Sequence, residues 1–255
     1  MFLMIRCSNL CNLAFLKIHF STLMPERSFD DFDEFAADYR RIHTANIQLS
    51  GADSFYFAKM KVRMLQGLEE NVDLKVLDVG CGDGSTELFM REFFSAWKID
   101  AIDVSEKSIA AAKSKGIPAV TFQWYDGTHM PFENEEFDVV FMAGVLHHID
   151  FSLHAQLIAE IYRVIKKGGR FYLFEHNPLN PVTRHLVRTC VFDQSAKLLK
   201  HSYTSRLLRS GNFKVVRKWF IIFFPRKRIF SAFIFLEKYL RSIPLGGQYF
   251  IVSRK

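Results

Sequence analysis

The chain has few cysteines, no long apolar run and, in its last third, almost no acid. Its four cysteines, Cys7, Cys11, Cys81 and Cys190, form no pair of CxxC motifs. That excludes a secreted disulfide framework and reads as free thiols in a reducing, cytoplasmic setting. Two thiols at 7 and 11 make a poor metal site, and no metal is expected. No stretch approaches the ~20 apolar residues of a membrane span. Residues 1–24 are apolar and acid-free, but Arg6 and Lys17 interrupt them and no small-residue cleavage site follows. A secretory signal is thereby set aside. A mitochondrial presequence, or translated sequence ahead of a start at Met24, remains. Internal repeats and low-complexity tracts are missing too. Residues 161–255 hold only Glu175, Asp193 and Glu237 against 20 Lys and Arg, whereas residues 1–160 hold 24 acids against 14 bases. A basic final third implies an anionic partner or carrier.

At 255 residues and 49% hydrophobic, the chain has the core of one domain with additions. Its organising stretch is Lys75-Val76-Leu77-Asp78-Val79-Gly80-Cys81-Gly82-Asp83-Gly84. A valine-rich run of this kind forms a strand buried on both faces. Three alternate glycines and a helical pattern (Leu88, Phe89, Met90, Phe93) follow. Strand, tight turn and helix aim backbone N–H groups at a bound anion or ligand. The dinucleotide fingerprint G-x-G-x-x-G fails here, because Ser85 stands where its third glycine belongs. A second strand ends in Asp103-Val104, 19 residues beyond Gly84. At that spacing a strand-end carboxylate meets a ribose diol, accepting from both hydroxyls.

The remaining pattern alternates. Helices are expected at 54–68, after the glycine turn, from Ser105 to Gly116, at 151–165, 203–209 and 229–240. Strands are expected at 75–79, 98–104, 119–124, 137–143, 170–175, 213–224 and 248–252. Residues 176–202 read as an insertion before the helix at 203–209. Alternation of this kind gives an α/β, doubly wound seven-stranded sheet closed by a hairpin-like pair.

An acid on the first strand followed by G-x-G-x-G resembles the class I S-adenosylmethionine (SAM) methyltransferases. The segment MPFENEEFDVVFMAGVLHHI and the run Arg-Val-Ile-Lys-Lys-Gly-Gly-Arg resemble their small-molecule branch, the type 11 and ubiquinone-biosynthesis-like enzymes. The resemblance covers about residues 70–175. It implies a Rossmann-like methyltransferase fold with insertions after strands 5 and 6, over residues 28–255, with residues 1–27 as an extension outside it. It also implies an N-terminal helical lid carrying Phe32, Phe35, Ala36, Tyr39 and His43. SAM would lie against Asp78, Gly80, Cys81, Gly82, Gly84, Asp103, Val104 and Ala143, with Asp126 at the adenine amino group and the Gly127 N–H at a ring nitrogen. His147, His148 and His176 are the candidate bases; Glu175 is a further candidate, or the group that orients one of them. No Asn/Asp-Pro-Pro-aromatic motif follows the fourth strand and no Pro-Cys nucleophile is present, which disfavours nucleic acid as substrate. The implied acceptor is a small or glycan-type molecule, anionic or lipid-linked. Its walls would include Arg184, Arg188, Lys197, Lys200, Arg226, Lys227 and Arg228 among Phe192, Phe230, Phe233 and Phe235. Peripheral contact with an anionic membrane goes with that reading. A SAM-binding module without activity, a quinone or lipid methyltransferase at the membrane surface, and a nucleotide-binding oxidoreductase are the alternatives.

Overall fold

The computed structural model describes residues 53–190, 193, 196–226 and 228–255. The expected extension and the lid with Tyr39 and His43 lie outside them, as do Phe192, Lys227 and the side chain of Arg228.

Seven strands form one sheet: β1 (Lys75–Val79), β2 (Lys98–Asp103), β3 (Val120–Trp124), β4 (Phe137–Ala143), β5 (Ile165–His176), β6 (Lys214–Ile221) and β7 (Gln248–Arg254). Their order is β3-β2-β1-β4-β5-β7-β6, and their number is the seven that the alternation predicted. The strands from β3 to β5 are parallel, and β7 runs antiparallel between β5 and β6. The chain winds outward from β1 through β2 to β3 and returns to β4 on the other side of β1. The carboxyl ends of β1 and β4 therefore flank a switch point, where such sheets bind ligands.

Both faces of β1 are covered, which explains why Val76, Leu77 and Val79 are all apolar and buried. Val76 packs with Val62 and Leu65 of α1 (Ser54–Gln66) and Met90 of α2 (Ser85–Phe93). Leu77 and Val79 face Leu157, Ile158 and Ile161 of α4 (His154–Val164) and Leu208 of α6 (His201–Ser210). Between them in sequence, α3 (Glu106–Ser114) buries Ile109 and Ala112 against Ala101 and Phe122, with Ser105 as its N-cap. Each of these large apolar side chains contributes ~1.5–3 kcal/mol on leaving water.

Several boundaries differ from expectation for identifiable reasons. The sixth strand stops at Ile221 rather than 224: Ile222 turns to φ +62°, and the Phe223 and Phe224 N–H groups donate to Glu237. The apolar stretch expected as one helix over 229–240 is a 3-10 segment, Arg228–Leu236, followed by a single turn α7 (Glu237–Leu240). Its Phe and Ile residues have middling helix propensity, and Glu237 is drawn back to the end of β6. The helix expected from 151 begins as a 3-10 turn, Phe151–Leu153, capped by Asp150. The fifth strand starts early, at Ile165, because Ile165 pairs with Phe137 of β4.

The insertion contains α5 (Pro181–Thr189), a helix not assigned from the sequence. Asn180 caps it by accepting from the Thr183 N–H, with Pro181 at its first turn. Asn177 donates to the carbonyls of Pro244 and Gly246, and Thr183 to that of Gly247. The insertion is thus tied to the loop before β7.

Candidate active site

The strand ends bring two groups of side chains together. The first surrounds the turn after β1. Gly80 sits at φ +79°, and a Cβ there would lie 2.3 Å from Cγ2 of Val145. Glycine at 80 is therefore what lets the segment after β4 pack on the turn. The Gly82 N–H donates to Asp103 at 2.8 Å, and the Ser105 N–H donates to the other carboxylate oxygen at 2.9 Å. The strand-end acid of β2 thus lies against the glycine turn. Nothing lies within 4 Å of where a Cβ on Gly82 would point, so that side of the turn is open.

Asp78 is buried beneath this turn and faces Glu87 of α2, which is fully buried. Burial raises the Asp78 carboxyl to about 7, with Asp103 adding to the rise and Glu87 and Lys61 opposing it. Burial and the neighbouring Asp78 push Glu87 well above the carboxylate range, so it is the member that keeps a proton. Cys81 is buried too, and its thiol is pushed well up by burial and by Glu87, Asp103 and Asp78. Gly84 starts α2, and Val104 accepts at its carbonyl from the Trp124 indole at 2.8 Å. Asp126, exposed after β3, accepts from the N–H groups of Thr128 and His129, which shapes the loop holding Gly127. Ala143, at the end of β4, lies half-buried near Phe141 and Phe174.

The second group lies at the ends of β4 and β5. A 3-10 turn, Leu146–His148, follows Gly144 and presents two successive imidazoles. Glu175, fully buried on β5, accepts from the Leu146 N–H at 2.8 Å and meets Nδ1 of His147 at 2.6 Å. The ring of His148 stands 4.1 Å from that of His147, and the ring of His176 5.1 Å. All three candidate histidines therefore converge. Asp193 joins them, with Oδ1 3.4 Å from Nε2 of His148 and 3.9 Å from Nε2 of His147. The Lys197 N–H donates to the His147 carbonyl and holds this part of the insertion over the histidines.

The charges of this group are set by one another. Burial alone would lower His147, but Glu175 and Asp193 raise it to about 9. Burial and the neighbouring His147 charge lower His148 to about 4 and His176 to about 3. Burial would raise Asp193, yet the histidines bring it to about 2. The outcome is one imidazolium between two carboxylates, flanked by two neutral imidazoles.

Asp193, Glu87 and Lys61 were not singled out from sequence. Lys61, on α1, is lowered to about 8 by burial while Glu175 and Asp78 hold it up. A lysine on an amphipathic helix reads as a solvated face, and only the packing of α1 over the strand ends shows otherwise. The same packing assigns Asn177: its side chain holds the 244–247 loop, which is a structural task.

Residues 76–169 match the family model described as a methyltransferase domain. The uncharacterised methyltransferase YcgJ of Bacillus subtilis is 30% identical over 129 residues, 49% of each chain. A demethylmenaquinone methyltransferase of Chlorobaculum parvum is 31% identical over 157 residues, 61% of this chain and 62% of that one. The chain thus spans between about half and two thirds of these relatives' lengths. Among solved structures, a SAM-dependent methyltransferase from Thermotoga maritima superposes with a TM-score of 0.64 at 18% identity, covering 89% of this chain and 99% of that one. That likeness speaks to fold.

Proposed function

We propose that the chain, whose residues 76–169 match a methyltransferase domain, belongs to the class I SAM-dependent methyltransferases and transfers a methyl group from SAM to a hydroxyl of a small organic acceptor. The observation behind the acceptor is the buried Glu175–His147 pair with His148 and Asp193, packed beside the glycine turn. A carboxylate acceptor is already ionised and needs none of these groups. A hydroxyl must lose its proton, and a positioned histidine contributes ~10²–10⁴-fold to such a step.

The strand ends suit SAM. The open side of Gly82 leaves room beside Asp103, and the acids Asp78 and Asp103 match a ligand that is cationic at one end and carries a ribose diol. Asp103 would hold the ribose hydroxyls, the turn from Gly80 to Gly84 with Cys81 the amino-acid end, and Val104, Asp126, Gly127 and Ala143 the adenine side. SAM supplies an activated methyl on a sulfonium, so no protein acid is needed for the leaving group. The chain's own contribution is positioning, exclusion of water and a place for the acceptor's proton. Lys61 shares the cleft with Asp78 and Glu175 and tempers their negative charge. His176, kept neutral by burial and the neighbouring His147, stands with its ring 5.1 Å from that of His147 in an edge contact.

Support for a small acceptor comes from the insertion, whose Asp193 lies beside His147 and His148 and whose Lys197 N–H holds the His147 carbonyl. The relative named for demethylmenaquinone points the same way. An anionic acceptor or carrier is favoured by the exposed Arg184, Arg188 and Lys200 of the insertion. Arg226 does not contribute, since it is buried against Glu237 at 2.8 Å. An acceptor carried on an anionic lipid surface is the second reading. Phe233 at 48% and Phe235 at 62% exposure, with Tyr239 and Leu245 also exposed, favour it. No described helix is long and apolar enough to cross a membrane, so such contact would be peripheral. The test is incubation with methyl-labelled SAM and fractionated cell extract. Label in the polar small-molecule or lipid fraction supports the proposal, and label only in protein or RNA overturns it.

A further inference from the structure

Among the described residues, His147, His148 and Asp193 each offer one ligand atom within 4.8 Å of the others. Their arrangement has the features of a coordination site. The two imidazoles come from one 3-10 turn and lean together at 40°, instead of pointing apart as neighbours on a strand would. A cation with ~2.0–2.1 Å bonds in tetrahedral geometry spaces its ligand atoms ~3.3 Å apart. The His148–Asp193 separation of 3.4 Å already meets that spacing, and the His147–Asp193 separation of 3.9 Å is close to it. Glu175 holds Nδ1 of His147, so Nε2 is the atom turned toward Asp193. A carboxylate behind a ligating imidazole is the usual support that fixes its tautomer and orientation. His147 is buried, while the side chains of His148 and Asp193 keep 15% and 14% exposure, giving an ion a route in.

We propose that His147, His148 and Asp193 form a three-ligand site for a divalent transition-metal cation, at the acceptor end of the cleft. Two imidazoles and one carboxylate suit a zinc-class ion and disfavour magnesium or calcium, which take oxygen ligands. Three protein ligands leave a coordination position open, the pattern of catalytic metal sites. An acceptor hydroxyl in that position would lose its proton more readily, which would place the ion where a general base would otherwise act. This role rests on the methyl-transfer reading; the site itself does not.

The test uses the full chain stripped with a chelator and titrated with cobalt(II), whose visible absorption reports coordination, followed by zinc(II) competition. One cobalt per chain with imidazole-type visible bands, displaced by one zinc, is expected. Asp193→Asn and His148→Ala should abolish the bands, and Glu175→Gln should weaken binding 10- to 100-fold. Melting curves of the stripped variants establish that they are folded, and Asp193→Asn keeps the side chain's shape if His148→Ala does not fold. No stoichiometric band, or a band unchanged in folded Asp193→Asn, overturns the site. SAM binding to the stripped protein is measured alongside. Intact SAM binding without metal binding would sink the ion and leave the methyltransferase reading standing.

Discussion

Replacing Glu175 with glutamine should destabilise the metal-stripped protein in a pH-dependent way. The carboxylate is fully buried and is held by the His147 ring at 2.6 Å and the Leu146 N–H at 2.8 Å. His147 is raised from 6.5 to about 9, and Glu175 is lowered by the same contact, so the interaction is counted once. A base raised in the folded state adds stability that is complete below its unfolded value and is lost as pH rises through the folded one. At ~1.4 kcal/mol per pKa unit this contributes about 3 kcal/mol at pH 6, fading by pH 9–10. Glutamine still accepts from the Leu146 N–H, so the variant loses the charge without losing that bond. Urea denaturation at pH 6, 7.5 and 9.5 should therefore give a deficit of ~2–3 kcal/mol at pH 6 that shrinks toward alkaline pH, with the m-value unchanged. A deficit below ~0.5 kcal/mol at pH 6, or one that grows with pH, would refute the charged pair.

Three further predictions address the cofactor end. Asp103→Ala should weaken SAM binding by ~1.5–3 kcal/mol, about ten- to a hundred-fold, with the fold retained; unchanged affinity by calorimetry would remove the ribose assignment. Asp78, raised to about 7, should be ionised more fully as pH rises, so SAM affinity should increase between pH 5.5 and 8. The same raised carboxyl should make the cofactor-free protein lose stability over the window from about 4 to 7. Asp78→Asn should flatten both profiles, and a variant that keeps the wild-type slopes would contradict the assignment. Gly80→Ala should cost ~2–5 kcal/mol, from the positive φ and the 2.3 Å approach to Val145. Val145→Ala in the same chain should recover part of that loss, and no recovery in melting experiments would mean the clash with Val145 is not the cause.

How much of this was legible in the residues depended on whether the signal was local. The Val-Leu-Asp-Val run, the glycines and Asp103 declare themselves within one strand–turn–helix unit, and Asp103 lies against the turn. Glu175 reads from sequence either as a candidate base or as the group that orients a histidine, and its carboxylate meets Nδ1 of His147 at 2.6 Å. Asp193 was invisible because its meaning comes from the insertion folding back on β4, a contact between distant segments. The expectation of no metal rested on cysteine spacing and could not register two adjacent histidines completed by that distant acid. Helix α5 had a readable signal, Asn180-Pro181 with Thr183 three positions after Asn180, that was passed over within a polar, irregular stretch. The end of β6 was not readable, since Phe223 and Phe224 continue the apolar pattern while their N–H groups turn to Glu237.

The most direct test of the account is calorimetric titration of the full chain with SAM, with S-adenosylhomocysteine and NADH as competitors. The account predicts one SAM site per chain, displaced by S-adenosylhomocysteine, indifferent to NADH and weakened in Asp103→Ala. No heat with SAM, or displacement of SAM by NADH, would contradict it.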